Sequence, residues 1–236
     1  MRRWRRQAAA AGTAIVMLAA AATSATAAQP RHVSSRARQL IVVSSPTLDP
    51  SDHLAILRAY VRSGSDARWH LKFGPWQSEI GYGGLKRHRR EGDGSTPIGV
   101  YGLESTLYGN RSNPGGLHLG YHHLVCGDWW DEDPYSAMYN RFVHVACGTK
   151  PAFASGSEAL WTEKAAYPYF AVLRFNTDPV RGGAGAPGSG IFLHAWVGGA
   201  TAGCVALPRG RLLAVLRWLR PSRHPMVAIG TDSQVF

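Results

Sequence analysis

The chain has 236 residues, 45% hydrophobic and 17% charged, a composition that supports a sizeable core and excludes general disorder. Its formal net charge of +11 points to anionic partners.

Arg2, Arg3, Arg5 and Arg6 precede an apolar run from Ala8 to Ala22, and small residues follow at Ala25, Thr26 and Ala27. That order reads as a secretory signal peptide over 1–28, since the run is short and alanine-rich for a membrane span. Export makes nucleic acid an unexpected partner. The remaining excess of base favours anionic cell-wall polymers, in a salt-dependent way, and a secreted or wall-associated location. Residues 29–39 are polar, basic and serine-containing and read as a disordered linker, which leaves 40–236 as one domain, expected as a monomer.

Leu40 to Val43 is a β-branched apolar run and the first expected strand. Leu54 to Val61 fits helix or strand equally. Trp69-His70-Leu71-Lys72-Phe73 alternates, however, and Ser63-Gly64-Ser65-Asp66 is turn chemistry, so a β-hairpin is expected. Lys86-Arg87-His88-Arg89-Arg90 reads as a solvated cationic loop. After it, Asp93-Gly94-Ser95-Thr96-Pro97 is rich in breakers and Val100 to Leu103 is a strand.

Between Gly115 and Cys147 lie His118, His122, His123 and His144 with Cys126 and Cys147. His123-x-x-Cys126 and His144-x-x-Cys147 have zinc-ligand spacing, but an exported chain favours a disulfide, and no metal is expected. Pairing Cys126 with Cys147 closes a loop of about 20 residues, worth roughly 3 kcal/mol on a chain-entropy account. Cys204 is then the thiol left over. Asp131 and Asp133, among the rings of Trp129, Trp130 and Tyr135, raise the alternative of a carboxyl-based wall hydrolase. A wall-binding protein without catalysis is a further alternative.

Ser157 to Ala165 reads as a short helix and Tyr169 to Phe175 as a strand. The glycine-rich loop 181–190 lacks the Lys-Ser/Thr ending of a phosphate-binding loop, so no nucleotide is expected. Ile191, Phe192 and Leu193 form a strand leading to His194. The leucines at 212, 213, 216 and 219 predict a helix from Pro208 to Pro221, and Met226 to Gly230 closes the chain as a strand. The whole reads as mainly β, a sandwich or open barrel with one or two helices.

Gly198 and Gly199 allow the chain to return from His194 to Thr201-Ala202-Gly203-Cys204-Val205. This brings an imidazole and a thiol within about one hydrogen bond of each other, with Cys204 just before a helix N-terminus. Such a pair suits acyl transfer. A backbone carbonyl is expected to orient His194, because no third side chain is evident.

His194 and the Thr-x-Gly-Cys-aliphatic turn resemble the catalytic motif of the L,D-transpeptidase (YkuD-like) family. The stretch from Arg90 to Tyr101 is similar to that family's Gly-Asp-x-x-Thr-Pro-x-Gly-aromatic segment. Asn176-Thr177-Asp178-Pro179 is similar to its strand-end Asn-x-Asp-Pro, and Asp128 to Asn140 to a segment of secreted actinobacterial members. The resemblance implies an L,D-transpeptidase-like β fold without a cofactor, acting on peptidoglycan stem peptides. It implies Cys204 as nucleophile, His194 as base and the backbone N–H groups around Gly203 and Cys204 as oxyanion donors. Trp196, Thr201, Asp93, Thr96 and Asn176 are implied to hold substrate. Ala202 stands where many members carry His or Asn, and Ala206 where many carry Arg or Asn.

Overall fold

The computed structural model describes residues 29–64, 68–153 and 156–236; the expected signal segment and part of the hairpin turn lie outside the described residues. The early strands are β1 (Gln39–Ser45), β2 (Leu54–Val61), β3 (His70–Glu79), β4 (Leu85–Lys86), β5 (Thr96–Pro97), β6 (Gly99–Gly109) and β7 (Gly120–His123). There follow β8 (Asp128–Asp131), β9 (Arg141–His144), β10 (Glu158–Ala159), β11 (Phe170–Leu173), β12 (Phe192–Ala195) and β13 (Val205–Leu207). Helix α1 (Arg209–Trp218), β14 (Met226–Thr231) and α2 (Asp232–Val235) complete the chain.

The expected mainly β fold is present, with β2 and β3 as the antiparallel hairpin. One sheet runs β11-β12-β13-β3-β2-β1-β14-β6-β7, and β11 also pairs with β6, so it closes into a barrel rather than staying open. Closure depends on the length of β6, which meets β14 through Gly99 to Gly102 and β11 from Leu103 to Tyr108. A second sheet, β10-β8-β9, covers part of the wall.

Side chains alternate across β12 and β13 and divide two cores. Leu193, Ala195, Val205 and Leu207 face the main core, which α1 completes with Leu212, Val215 and Leu216. Phe192 and Cys204 face an aromatic layer with Trp130, Tyr167 and Phe170. The parallel pairing sets Leu193 opposite Val205 and His194 opposite Ala206. Phe192, His194, Cys204 and Ala206 therefore share the outer face of the barrel wall, beneath the smaller sheet.

Four local expectations are corrected. The helix expected from Ser157 is strand β10, with Glu158 and Ala159 paired to Trp130 and Trp129. The capping signal fails because the Ser157 hydroxyl accepts the Glu132 amide at 2.9 Å and donates to Asp131 instead. Residues 29–38 are not a free linker. Ala37 is fully buried, the Arg31 amide donates to Val235 O at 3.0 Å, and Gln29 exchanges hydrogen bonds with the Trp69 backbone. Helix α1 stops at Trp218, before Pro221, because Leu219 turns extended and is completely buried. Finally, β13 stands between Cys204 and α1, so the thiol is about 10 Å of strand away from the helix N-terminus and gains little from its dipole.

Cys126 and Cys147 form the expected disulfide. It ties the loop before β8 to the end of β9, while His122 and His144 flank the buried Asp128 carboxylate at 2.8 and 2.6 Å.

Candidate active site

Strand register decides where the candidate pair, Cys204 and His194, sits. Cys204 lies two residues before the partner of His194 on the neighbouring strand, which puts the two Cα atoms roughly 8 Å apart with side chains on one face. Both line a cleft of about 280 Å³ with Tyr167, Glu132, Glu158 and Arg89. Cys204 is the one free cysteine and is 7% exposed.

The thiol is not hydrogen-bonded to the imidazole. Its sulfur accepts the Phe192 amide at 3.3 Å and its proton points to Gly190 O at 3.2 Å. Burial pushes this thiol well above its ordinary range; the Phe192 amide and Arg89 oppose the rise while Glu158 and Glu132 add to it. Burial also lowers His194, to about 4, against the carbonyls of Ala195 and Ala166. The resting pair is therefore a neutral thiol beside a neutral imidazole. His194 Nδ1 lies 2.9 Å from Ala195 O, an atom that can only accept, so Nδ1 carries the hydrogen and Nε2 keeps a lone pair. The expected orienting carbonyl is Ala195.

The turn that carries Cys204 is held from two sides. Thr201 Oγ1 donates to Cys204 O at 2.7 Å and accepts the Gly203 amide at 3.1 Å. The Gly203 amide, expected as an oxyanion donor, is thus already engaged. Thr96 Oγ1 donates to Gly203 O and accepts the Gly81 amide, both at 2.8 Å, so Thr96 braces the turn from beneath the cleft. Gly203 has φ +135, and a Cβ there would meet Ser95 O at 2.9 Å. Only glycine fits that conformation and that space.

The other expected substrate contacts divide. Trp196, 42% exposed, and Thr201 line the cleft, as do Ala202 and Ala206. Asp93 does not line it. Burial works against its charge, but the Ser95 hydroxyl and amide, the Arg90 amide and nearby Arg89 hold its carboxyl at about 2. Its role is to tie the 90–95 turn. Asn176 lies outside the cleft, its amide bonded to Arg181 O and Gly188 O, and it shapes the glycine-rich loop. Asp131, the last residue of β8, and Asp133 shape the turn that follows: Asp131 is fully buried and accepts the Asp133 amide, which removes the basis for a carboxyl pair there.

The cleft carboxyls are instead Glu132 and Glu158. Burial, with Glu158 and Glu91 close by, raises Glu132 to about 8. Burial raises Glu158 to about 7, offset by the Tyr167 hydroxyl, which donates to it at 2.7 Å. The Tyr167 ring packs edge-on against His194 at 5.4 Å. Glu132 abuts Gly190, where a Cβ would collide with its Oε1 and only glycine leaves room. Sequence reading missed these residues and Arg89. Glu158 was hidden by the mistaken helix, Tyr167 by its place between two expected elements, and Arg89 by its four basic neighbours. Glu132 had a signal, one acid among rings and turns, which pointed to the wrong members of its cluster.

A β-barrel whose wall carries a free thiol and an imidazole under a carboxyl-lined cleft defines the class, a cell-wall enzyme domain of the L,D-transpeptidase type. The family model for the L,D-transpeptidase catalytic domain, YkuD, matches residues 40–231, and the chain belongs to that family, which acts on peptidoglycan stem peptides. No curated protein and no solved structure matches the chain.

Proposed function

We propose that this protein is an exported L,D-transpeptidase that cross-links peptidoglycan stem peptides through a thioester on Cys204. The observation that carries the reading is the one free cysteine of the chain sharing a cleft with His194, whose Nε2 lone pair is available. Because both groups rest neutral, the thiol proton passes to His194 as sulfur attacks the donor carbonyl, rather than in advance. The peptide C–N bond breaks, the proton goes to the departing amine of the terminal D-residue, and the acyl group stays on sulfur. An acceptor amine then attacks the thioester, one of its protons returns to sulfur, and the cross-link is released. Water in place of the amine gives L,D-carboxypeptidase activity.

Neutral resting groups keep an exported thiol from oxidation, since thiolate is the reactive form. The test is intact-mass analysis after exposure to a carbapenem, a thiol-acylating mimic to which this family commonly responds. An adduct mapped to Cys204, absent in Cys204→Ala together with activity on muropeptides, is expected. Full activity in Cys204→Ala would refute the mechanism.

A further inference from the structure

Arg89 is 5% exposed, yet its Nε and Nη1 have no hydrogen-bond partner. Its nearest counter-charge, Asp93 Oδ1, is 3.7 Å from Nε, and that carboxylate is already bonded to Ser95 and to the Arg90 amide. A buried guanidinium left this way costs stability unless an anion close by balances its charge. Its orientation is fixed: Nη1 is 2.6 Å from a Cβ built on Gly188, Nη2 is 3.4 Å from one built on Gly203, and the Phe175 ring lies 5.4 Å from its central carbon. With Nε and Nη1 sealed, Nη2 is the nitrogen left to face the cleft that Arg89 shares with Cys204.

We propose that Arg89 is a specificity-determining residue that binds the terminal carboxylate of the D-residue expelled from the acyl donor. The inference rests on the transpeptidase reading above. In a donor ending one residue beyond the scissile bond, the carboxylate carbon is under about 4 Å from the carbonyl carbon under attack. A charge beside Gly203, the neighbour of the nucleophile, is at that reach. Two of the cleft acids are otherwise engaged. The hydroxyls of Tyr139 and Ser189 already donate to Glu91, and Glu132 is held largely protonated at neutral pH. The carboxyl-rich surround also disfavours a doubly charged anion, which leaves a single carboxylate as the ligand.

The experiment compares two donor tetrapeptides, one ending in a free carboxylate and one in a carboxamide, with the purified protein. Wild type is expected to favour the carboxylate in kcat/KM by about 10- to 100-fold, the range for one hydrogen bond to a charged group. Arg89→Gln should lose that preference, and Arg89→Lys should keep part of it. Equal use of both donors by wild type would overturn the inference and leave the transpeptidase reading intact. An equal loss on both donors in Arg89→Gln would also overturn it, placing Arg89 at the reacting carbonyl instead. A wild type inert toward both donors, with no acyl adduct on Cys204, would sink both readings. If Arg89→Gln fails to fold, the wild-type comparison still decides.

Discussion

Thr96→Val removes one oxygen and changes little else, so it isolates what braces the Cys204 turn. Thr96 is completely buried, and its Oγ1 satisfies two backbone groups, Gly203 O and the Gly81 amide, at 2.8 Å each. Valine fills the same volume and leaves both groups unpaired. At about 1–3 kcal/mol for each buried group stranded, and allowing for relaxation, the loss should be about 2–4 kcal/mol. For a domain of this size that lowers the melting temperature by roughly 4–16 °C. Thr96→Ser, which keeps the hydroxyl, should lose much less. Urea unfolding gives the stability, and the rate of carbapenem adduct formation at Cys204 gives the effect on the turn. Because Gly203 immediately precedes the nucleophile, that rate should fall in the valine variant at temperatures where it is fully folded. A stability loss below about 0.5 kcal/mol, within the range of ordinary surface substitutions, would refute the reasoning.

The resting protonation states predict slow alkylation: iodoacetamide at pH 8 should modify Cys204 at least about tenfold more slowly than a cysteine in a free peptide, since each unit of upward shift removes nine-tenths of the thiolate. Rapid labelling with a midpoint near pH 7 would show a preformed ion pair instead. With His194 held at about 4, the acid limb of turnover should have its midpoint well below 6.5. A midpoint at 6.5 would place the working base elsewhere. Folding keeps Glu132 protonated to about pH 8 whereas the unfolded chain releases that proton near 4.5, so the folded state binds more protons across that window. Stability therefore falls as pH rises through it, by up to about 1.4 kcal/mol per pH unit for the one group, and Glu132→Gln should flatten the profile in melts between pH 5 and 8. Reducing the Cys126–Cys147 bond should cost roughly 3 kcal/mol and leave the Cys204 adduct intact, as judged by melting and mass together.

Strands were legible wherever the pattern was local. Leu40 to Val43 and Met226 to Gly230 announced themselves by apolar and β-branched runs, the alternation over 69–73 resolved the hairpin that 54–61 alone left open, and all contribute to barrel strands. The odd cysteine was legible by counting, because with three cysteines one disulfide leaves one thiol over, and Cys126–Cys147 is the pair. Where a local signal met a stronger distant partner, it failed. Ser157 had the chemistry of a cap, but Asp131 and the Glu132 amide claimed its hydroxyl. The segment 29–38 had the composition of a linker, but the Val235 carbonyl and the Trp69 backbone gave it hydrogen bonds.

By itself the sequence determined the β character, the choice of Cys204 and His194 as the candidate pair, and the disulfide, because each depends on residue type and order along the chain. Only the tertiary structure decided the protonation of that pair, the engagement of the Gly203 amide, and the company of Arg89, Glu132 and Glu158 around the thiol. Those properties depend on burial and on distances between residues far apart in the chain, and desolvation, which sets the charge of a thiol or an imidazole, exists only after the chain has closed around them.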